Sequence, residues 1–208
     1  MSGALARLLF YPTLGYNVVM EKVSSRRWFN RVDQTVILGA LPFKSMTDEL
    51  VHRENVRGIV TMNEEYETKY FCNSAEEWAA AGVEQLRLST VDLTGVPTLG
   101  NLHRGVEFVL QHKEQGTSVY VHCKAGRSRS ATMVAAYLIR VSAALLTSDP
   151  QKPLLQSGLI WSFLSCPQLH CWSPEEACQA LKSIRPHVLI HSAQMEILHQ
   201  YHREVCSS

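Results

Sequence analysis

The run His122-Cys123-Lys124-Ala125-Gly126-Arg127-Ser128-Arg129-Ser130 constrains the fold more than any other stretch, because the patterns on its two sides differ. Before it, Ser118-Val119-Tyr120-Val121-His122 is β-branched and aromatic, which predicts a strand; after it, Ser130 to Arg140 has the alanine, methionine and leucine content of a helix. A strand passing through a short loop into a helix aims unpaired backbone N–H groups, and the positive end of the helix dipole, back at the loop. The loop over Lys124, Ala125, Gly126, Arg127, Ser128 and Arg129 is therefore expected to cup a tetrahedral dianion. Gly126 lets the backbone curl there without steric cost.

A thiol seated in that ring feels the same field, so the pKa of Cys123 should fall below the free value of ~8.5 and leave a nucleophilic thiolate at neutral pH. Arg129, six residues on, can return over the loop and hold two phosphoryl oxygens with its planar fork, a geometry lysine cannot reproduce. Upstream, Leu86 to Gly95 reads as a strand ending in a turn with Asp92 at its rim. Taken alone, an aspartate there can simply cap the turn.

His-Cys, five residues, then Arg-Ser resembles the signature of the cysteine-dependent phosphatases, in their dual-specificity branch. The resemblance implies a cysteinyl-phosphate intermediate on Cys123 and Arg129 as phosphate clamp. It also implies that Ser130 hydrogen-bonds the sulfur and that His122 orders the loop. An aspartate about thirty residues before the cysteine serves that family as acid and then base, and Asp92 lies thirty-one residues before Cys123.

Further stretches resemble one group in particular, the mitochondrial phosphatases of phosphatidylglycerophosphate: Leu38 to Pro42, Asn63 to Glu67, Arg87 to Asp92, Tyr120 to Ile139 and Trp172 to Ala177. This likeness implies hydrolysis to phosphatidylglycerol and phosphate, a step towards cardiolipin, with no metal or organic cofactor. It gives Glu64, Glu65, Tyr66 and Glu67 a supporting role at the site; without it they read as a solvated acidic turn. Two other readings stay open, a dual-specificity protein phosphatase and a catalytically silent module that binds phosphate groups.

Lys124 and Arg127 add cations to a loop that already holds Arg129, a density suited to a substrate with several phosphates or to an anionic phospholipid surface; the alternative is that both side chains are solvated. The formal net charge of +1 excludes a dominant nucleic-acid-type attraction, and no obligate protein partner is implied. The six cysteines, at 72, 123, 166, 171, 178 and 206, form no Cys-x-x-Cys pair and fit a reducing compartment better than a disulfide framework. Cys166, His170 and Cys171 lack the fourth partner and the spacing of a metal site.

From Met1 to Met20 there is no acidic residue, and apolar residues recur from Leu5 to Leu14. Residues 1–27 are therefore expected to form a mitochondrial targeting or membrane-associating segment, broken by Pro12, Gly15 and Asn17, with the catalytic domain over 28–208. A first helix packed on the domain is the alternative. The matching location is the matrix face of the mitochondrial inner membrane.

Strand-like stretches near Thr35–Leu38, Gly58–Met62, Val83–Leu88 and Ser118–Val121 alternate with helical ones near Ser45–Glu54, Ala75–Ala81, Leu99–Lys113 and Ser130–Arg140. That alternation predicts an α/β fold of the dual-specificity phosphatase kind, a central, mostly parallel sheet flanked by helices with the catalytic loop between a strand and a helix. Ser173-Pro174-Glu175-Glu176 is a capping box that starts another helix. Residues 142–169, rich in proline and carrying an apolar patch at Leu159 to Leu164, read as an inserted loop. At Ile190 to Gln194 the arginine and proline of the family are missing, which puts any phosphate contact there in doubt.

Overall fold

The computed structural model describes residues 3–24, 26–92, 94–147 and 170–206. Five strands make one sheet: β1 (Phe29–Arg31), β2 (Val36–Gly39), β3 (Val56–Thr61), β4 (Glu84–Arg87) and β5 (Ser118–His122), in the order β1-β2-β5-β3-β4. The four strands β2 to β5 are mutually parallel, and only the edge strand β1 is antiparallel to its neighbour. β5 lies between β2 and β3, and all five of its residues are buried. This matches its continuous β-branched and aromatic run, since a parallel strand covered on both faces has no polar side.

The helices are α1 (Gly3–Val23), α2 (Glu65–Thr68), α3 (Ala75–Ala80), α4 (Leu99–Glu114), α5 (Arg129–Thr147), α6 (Pro174–Ile184) and α7 (Ser192–Cys206). Alternate strand residues feed two cores. Leu38, Val60, Val119 and Val121 pack with Val106, Val134, Leu181 and Leu198 under α4 to α7, whereas Ile37, Ile59 and Tyr120 pack with Leu50, Trp78 and Val83 on the other face. At α6 the expected capping box is present in both directions, with Ser173 accepting from the Glu176 N–H.

Several expectations need correction. Ser45–Glu54 is not one α-helix but a 3-10 turn over Lys44–Met46 and a π-turn over Glu49–Arg53; the wider turn puts both of the adjacent residues Leu50 and Val51 in the interior. α1 runs unbroken through Pro12, Gly15 and Asn17. Burial of Phe10 and Leu14 against Leu41 and Cys72 offsets the one hydrogen bond Pro12 cannot donate. α5 continues past Arg140 to Thr147, so the first residues of the expected insertion are helical; 148–169, the remainder, lie outside the described residues.

Cys72, Cys123 and Cys178 are free thiols, but Cys171 and Cys206 form a disulfide. The last turn of α7 lies beside the segment entering α6, a proximity that a separation of 35 residues does not display in sequence. His202 adjoins that pair, and Cys166 lies outside the described residues.

Candidate active site

The loop from Lys124 to Ser128 leaves the carboxyl end of β5 and enters α5 at Arg129. Its shape is set from outside. The carbonyl of Lys124 accepts from Leu41 N at 3.3 Å and that of Arg127 from Leu189 N at 2.8 Å. Those of Ala125 and Gly126 accept from Arg185 NH2 and Nε at 3.1 and 2.9 Å. With four successive carbonyls held outward, the N–H groups of the same peptides are left to face the pocket. Gly126 has φ +63°, and a Cβ there would lie 2.5 Å from the Gly39 carbonyl, so both the turn and the close approach of β2 require glycine.

Cys123 lies at the floor, 4 % exposed. Ser130 Oγ donates to its sulfur at 3.2 Å. Burial alone would push the thiol pKa up, but Arg129, the Ser130 hydroxyl and the backbone N–H groups of Ser130 and Arg127 together bring it below the usual value. The arrangement therefore favours a thiolate. His122 is fully buried, and its Nε2 meets Thr61 Oγ1 at 3.0 Å. Burial, with Arg87 and Arg129 nearby, drops its pKa to about 3. The imidazole, hydrogen-bonded to β3, therefore takes up no second proton near neutral pH.

Arg129 is held from two sides. NH1 donates to Glu67 Oε1 at 2.9 Å and to the Thr90 carbonyl at 2.8 Å, while NH2 donates to Glu67 Oε2 at 3.0 Å and to Asp92 Oδ1 at 2.8 Å. Asp92 Oδ2 accepts from Lys124 Nζ, which also donates to Thr13 Oγ1 at 2.8 Å and sits 5.5 Å from the Phe10 ring centre. Lys124 is thus buried and turned inward, and the solvated alternative fails for it. Arg127 stays half-buried, its Nε donating to the His187 carbonyl at 3.0 Å.

The acidic loop divides by role. Glu67, wholly buried, is the anchor of Arg129. Glu64 and Glu67 form the capping box of α2. The Tyr66 ring packs on Phe10 and its hydroxyl pKa is pushed up to about 12, first by burial and then by Glu67. Glu65 faces solvent and is not brought to the pocket.

The resulting cavity is about 330 Å³. Cys123, Lys124, Asp92, Arg127 and Arg129 line its depths, and Thr13, Tyr16, Leu189 and Gln194 its walls and mouth. Three of its supports were not foreseen in sequence. Arg185 reaches from the end of α6 and also holds the Arg27 and Trp28 carbonyls and Asn30 Oδ1. Gln194 accepts from Ser128 Oγ at 2.7 Å and from His191 N at 3.1 Å, and donates to the Gly95 carbonyl at 3.4 Å. It joins the phosphate loop to the Asp92 loop where the family's arginine and proline are missing. Thr13 is the third. Nothing local marks these residues, because each reaches a partner 59 or more positions away. Chemically, a buried thiolate in a ring of N–H donors, beside a fixed guanidinium and a carboxyl group, can attack a phosphate monoester.

Comparison with known proteins agrees. The description "Dual specificity phosphatase, catalytic domain" matches residues 52–147. A rat protein named phosphatidylglycerophosphatase and protein-tyrosine phosphatase 1 is 53% identical over 100% of this chain and 94% of its own length. Its human counterpart is 50% identical, over 99% and 90% respectively. A crystal structure of PTPMT1 in complex with PI(5)P superposes with TM-score 0.72 at 53% identity, covering 87% of this chain and 98% of that one. The chain is a phosphatase of the dual-specificity family, in the group that includes these relatives.

Proposed function

We propose that this chain hydrolyses phosphatidylglycerophosphate to phosphatidylglycerol and phosphate through a cysteinyl-phosphate intermediate, as a peripheral enzyme of the mitochondrial inner membrane that feeds cardiolipin synthesis. The reading is carried by one observation. Relatives bearing that activity in their names match at 50–53% identity over 90% or more of either chain, and Cys123, Arg129 and Asp92 line one pocket, which supports the reading.

In this reading the phosphate settles in the loop from Lys124 to Arg129, against the inward N–H groups of Ala125 to Ser128. It draws Arg129 NH2 and Lys124 Nζ onto its oxygens and away from Asp92. The Cys123 thiolate attacks phosphorus, the P–O bond to the glycerol breaks, and the Asp92 carboxyl donates the proton that the leaving oxygen needs. Asp92 then takes a proton from the water that cleaves the P–S bond, restoring the thiolate. Ser130 Oγ–H stabilises sulfur at both stages. Support for the location comes from the acid-free segment Met1–Met20; among the described residues no helix is long and apolar enough to cross a membrane.

The test is phosphate release from phosphatidylglycerophosphate in mixed micelles, with the Cys123→Ser variant and a phosphotyrosine peptide alongside. Release by the wild type that vanishes in the variant is expected. Folded wild type that cleaves the peptide and leaves the lipid intact would overturn the lipid reading.

A further inference from the structure

α1 carries an apolar stripe that is exposed among the described residues. Leu9, Pro12, Tyr16, Val19 and Val23 are all exposed, with Val19 at 55% and Val23 at 70%. Their spacings of three, four, three and four residues put them on one side of the helix. Phe10 and Leu14, on another side, are buried against the domain. Glu21, the helix's one acidic residue, falls opposite the stripe by the same spacing.

The stripe opens onto the catalytic cavity. Tyr16 belongs to both, and Leu189, 48% exposed, also lines the cavity. Lys22 lies in the last turn of the helix, and Arg26, Arg27, Arg127 and His187 line a cleft that shares Arg127 with the cavity. His187, its pKa pushed down to about 4 by burial and then by Arg185, Arg26 and Arg127, adds no charge there at neutral pH. An apolar helix face flanked by basic residues, with its acid turned away, suits a helix lying in the interface of an anionic bilayer.

We propose that α1 docks the enzyme on an anionic phospholipid bilayer, its Leu9 to Val23 stripe inserted among the headgroups and lipid phosphates held in the Arg26, Arg27 and Arg127 cleft. The cavity mouth then opens at the membrane surface. This deepens the lipid-phosphatase reading and rests on it for its purpose, although not for its test. Because Thr13 of the same helix holds Lys124, docking and the wall of the site are built from one element. A lipid phosphomonoester would reach Cys123 without leaving the bilayer.

The test is sedimentation of the full chain with vesicles of phosphatidylcholine alone or with one-third phosphatidylglycerol. Partitioning should favour the anionic vesicles. Arg26→Ser/Arg27→Ser should weaken it roughly 25-fold, at about fivefold per surface cation. Val19→Asp/Val23→Asp, two solvent-facing changes, should abolish it while hydrolysis of p-nitrophenyl phosphate stays at the wild-type rate, which also reports that this variant is folded. Equal partitioning of the wild type and Val19→Asp/Val23→Asp, or no preference for anionic vesicles, overturns the proposal. Vesicle binding without phosphatidylglycerophosphate hydrolysis would sink the proposed function and leave this inference standing; hydrolysis without binding would do the reverse.

Discussion

Replacing Glu67 by glutamine tests whether the buried carboxylate is what aims the phosphate clamp. Each of its oxygens accepts twice: Oε1 from Arg129 NH1 and the Glu64 N–H, Oε2 from Arg129 NH2 and Asn63 Nδ2. Whichever way a glutamine amide is turned, two donors meet its NH2 group. One charged hydrogen bond is lost, at about 1.5–3 kcal/mol, with one neutral bond from the Glu64 N–H or the Asn63 amide, and a guanidinium with a side-chain exposure of 4% loses its main counter-charge. Removing one partner of a buried pair costs about 3–5 kcal/mol; the retained amide oxygen places this change near the low end, about 3 kcal/mol. For a chain of this size that is a fall of roughly 6–12 °C in Tm. With Glu67 neutral, Arg129 is left to Thr90 and Asp92 and swings off the phosphoryl position. The expected drop in kcat on an aryl phosphate is about a hundredfold, the scale of losing one transition-state donor. Thermal unfolding and steady-state kinetics read the two effects, with Glu65→Gln on the same helix as the control that changes neither. A Glu67→Gln enzyme with unaltered Tm and kcat would refute the assignment of Glu67 as the anchor.

Two further outcomes follow from the same geometry. The Ser130 hydroxyl favours the thiolate, so Ser130→Ala should move the alkylation midpoint of Cys123 to higher pH; iodoacetamide reacts with the thiolate only, so its rate at neutral pH should fall about tenfold, and an unchanged midpoint would remove the hydroxyl from the balance. Arg185→Met frees the Ala125 and Gly126 carbonyls, so vanadate affinity should fall at least tenfold without restoration by Arg185→Lys, which cannot span two carbonyls at once; full affinity in the lysine variant would show that charge alone suffices.

The phosphate loop, its flanking strand and helix, and the parallel sheet were legible because each rests on local pattern: a β-branched run, a glycine, an alanine-rich helix. The place of Asp92 in the pocket was legible only through the family resemblance, since the strand end alone reads as a turn cap. The parts that escaped are long-range. Arg185, Gln194 and Thr13 have ordinary neighbours and gain meaning only from groups 59 or more residues away. Glu67 was singled out with its loop, but the charge pattern could not tell it from Glu65, since the difference is one of burial. The unbroken course of α1 was missed because proline and glycine were weighed without the tertiary packing of Phe10 and Leu14 that overrides them.

The position of β5 has a consequence for how activity is acquired. The loop that grips phosphate hangs from the middle strand, whose neighbours lie some 80 residues earlier for β2 and 60 for β3, and its carbonyls are pinned by Leu41, Arg185 and Leu189, from both ends of the chain. Contacts of such long range are completed late in folding. A half-assembled chain therefore lacks the closed loop, so tungstate or phosphate is expected to bind only the finished molecule and to raise its melting temperature by mass action. The size of that rise follows ligand concentration over Kd, so it reads how well the loop is closed once the chain has folded.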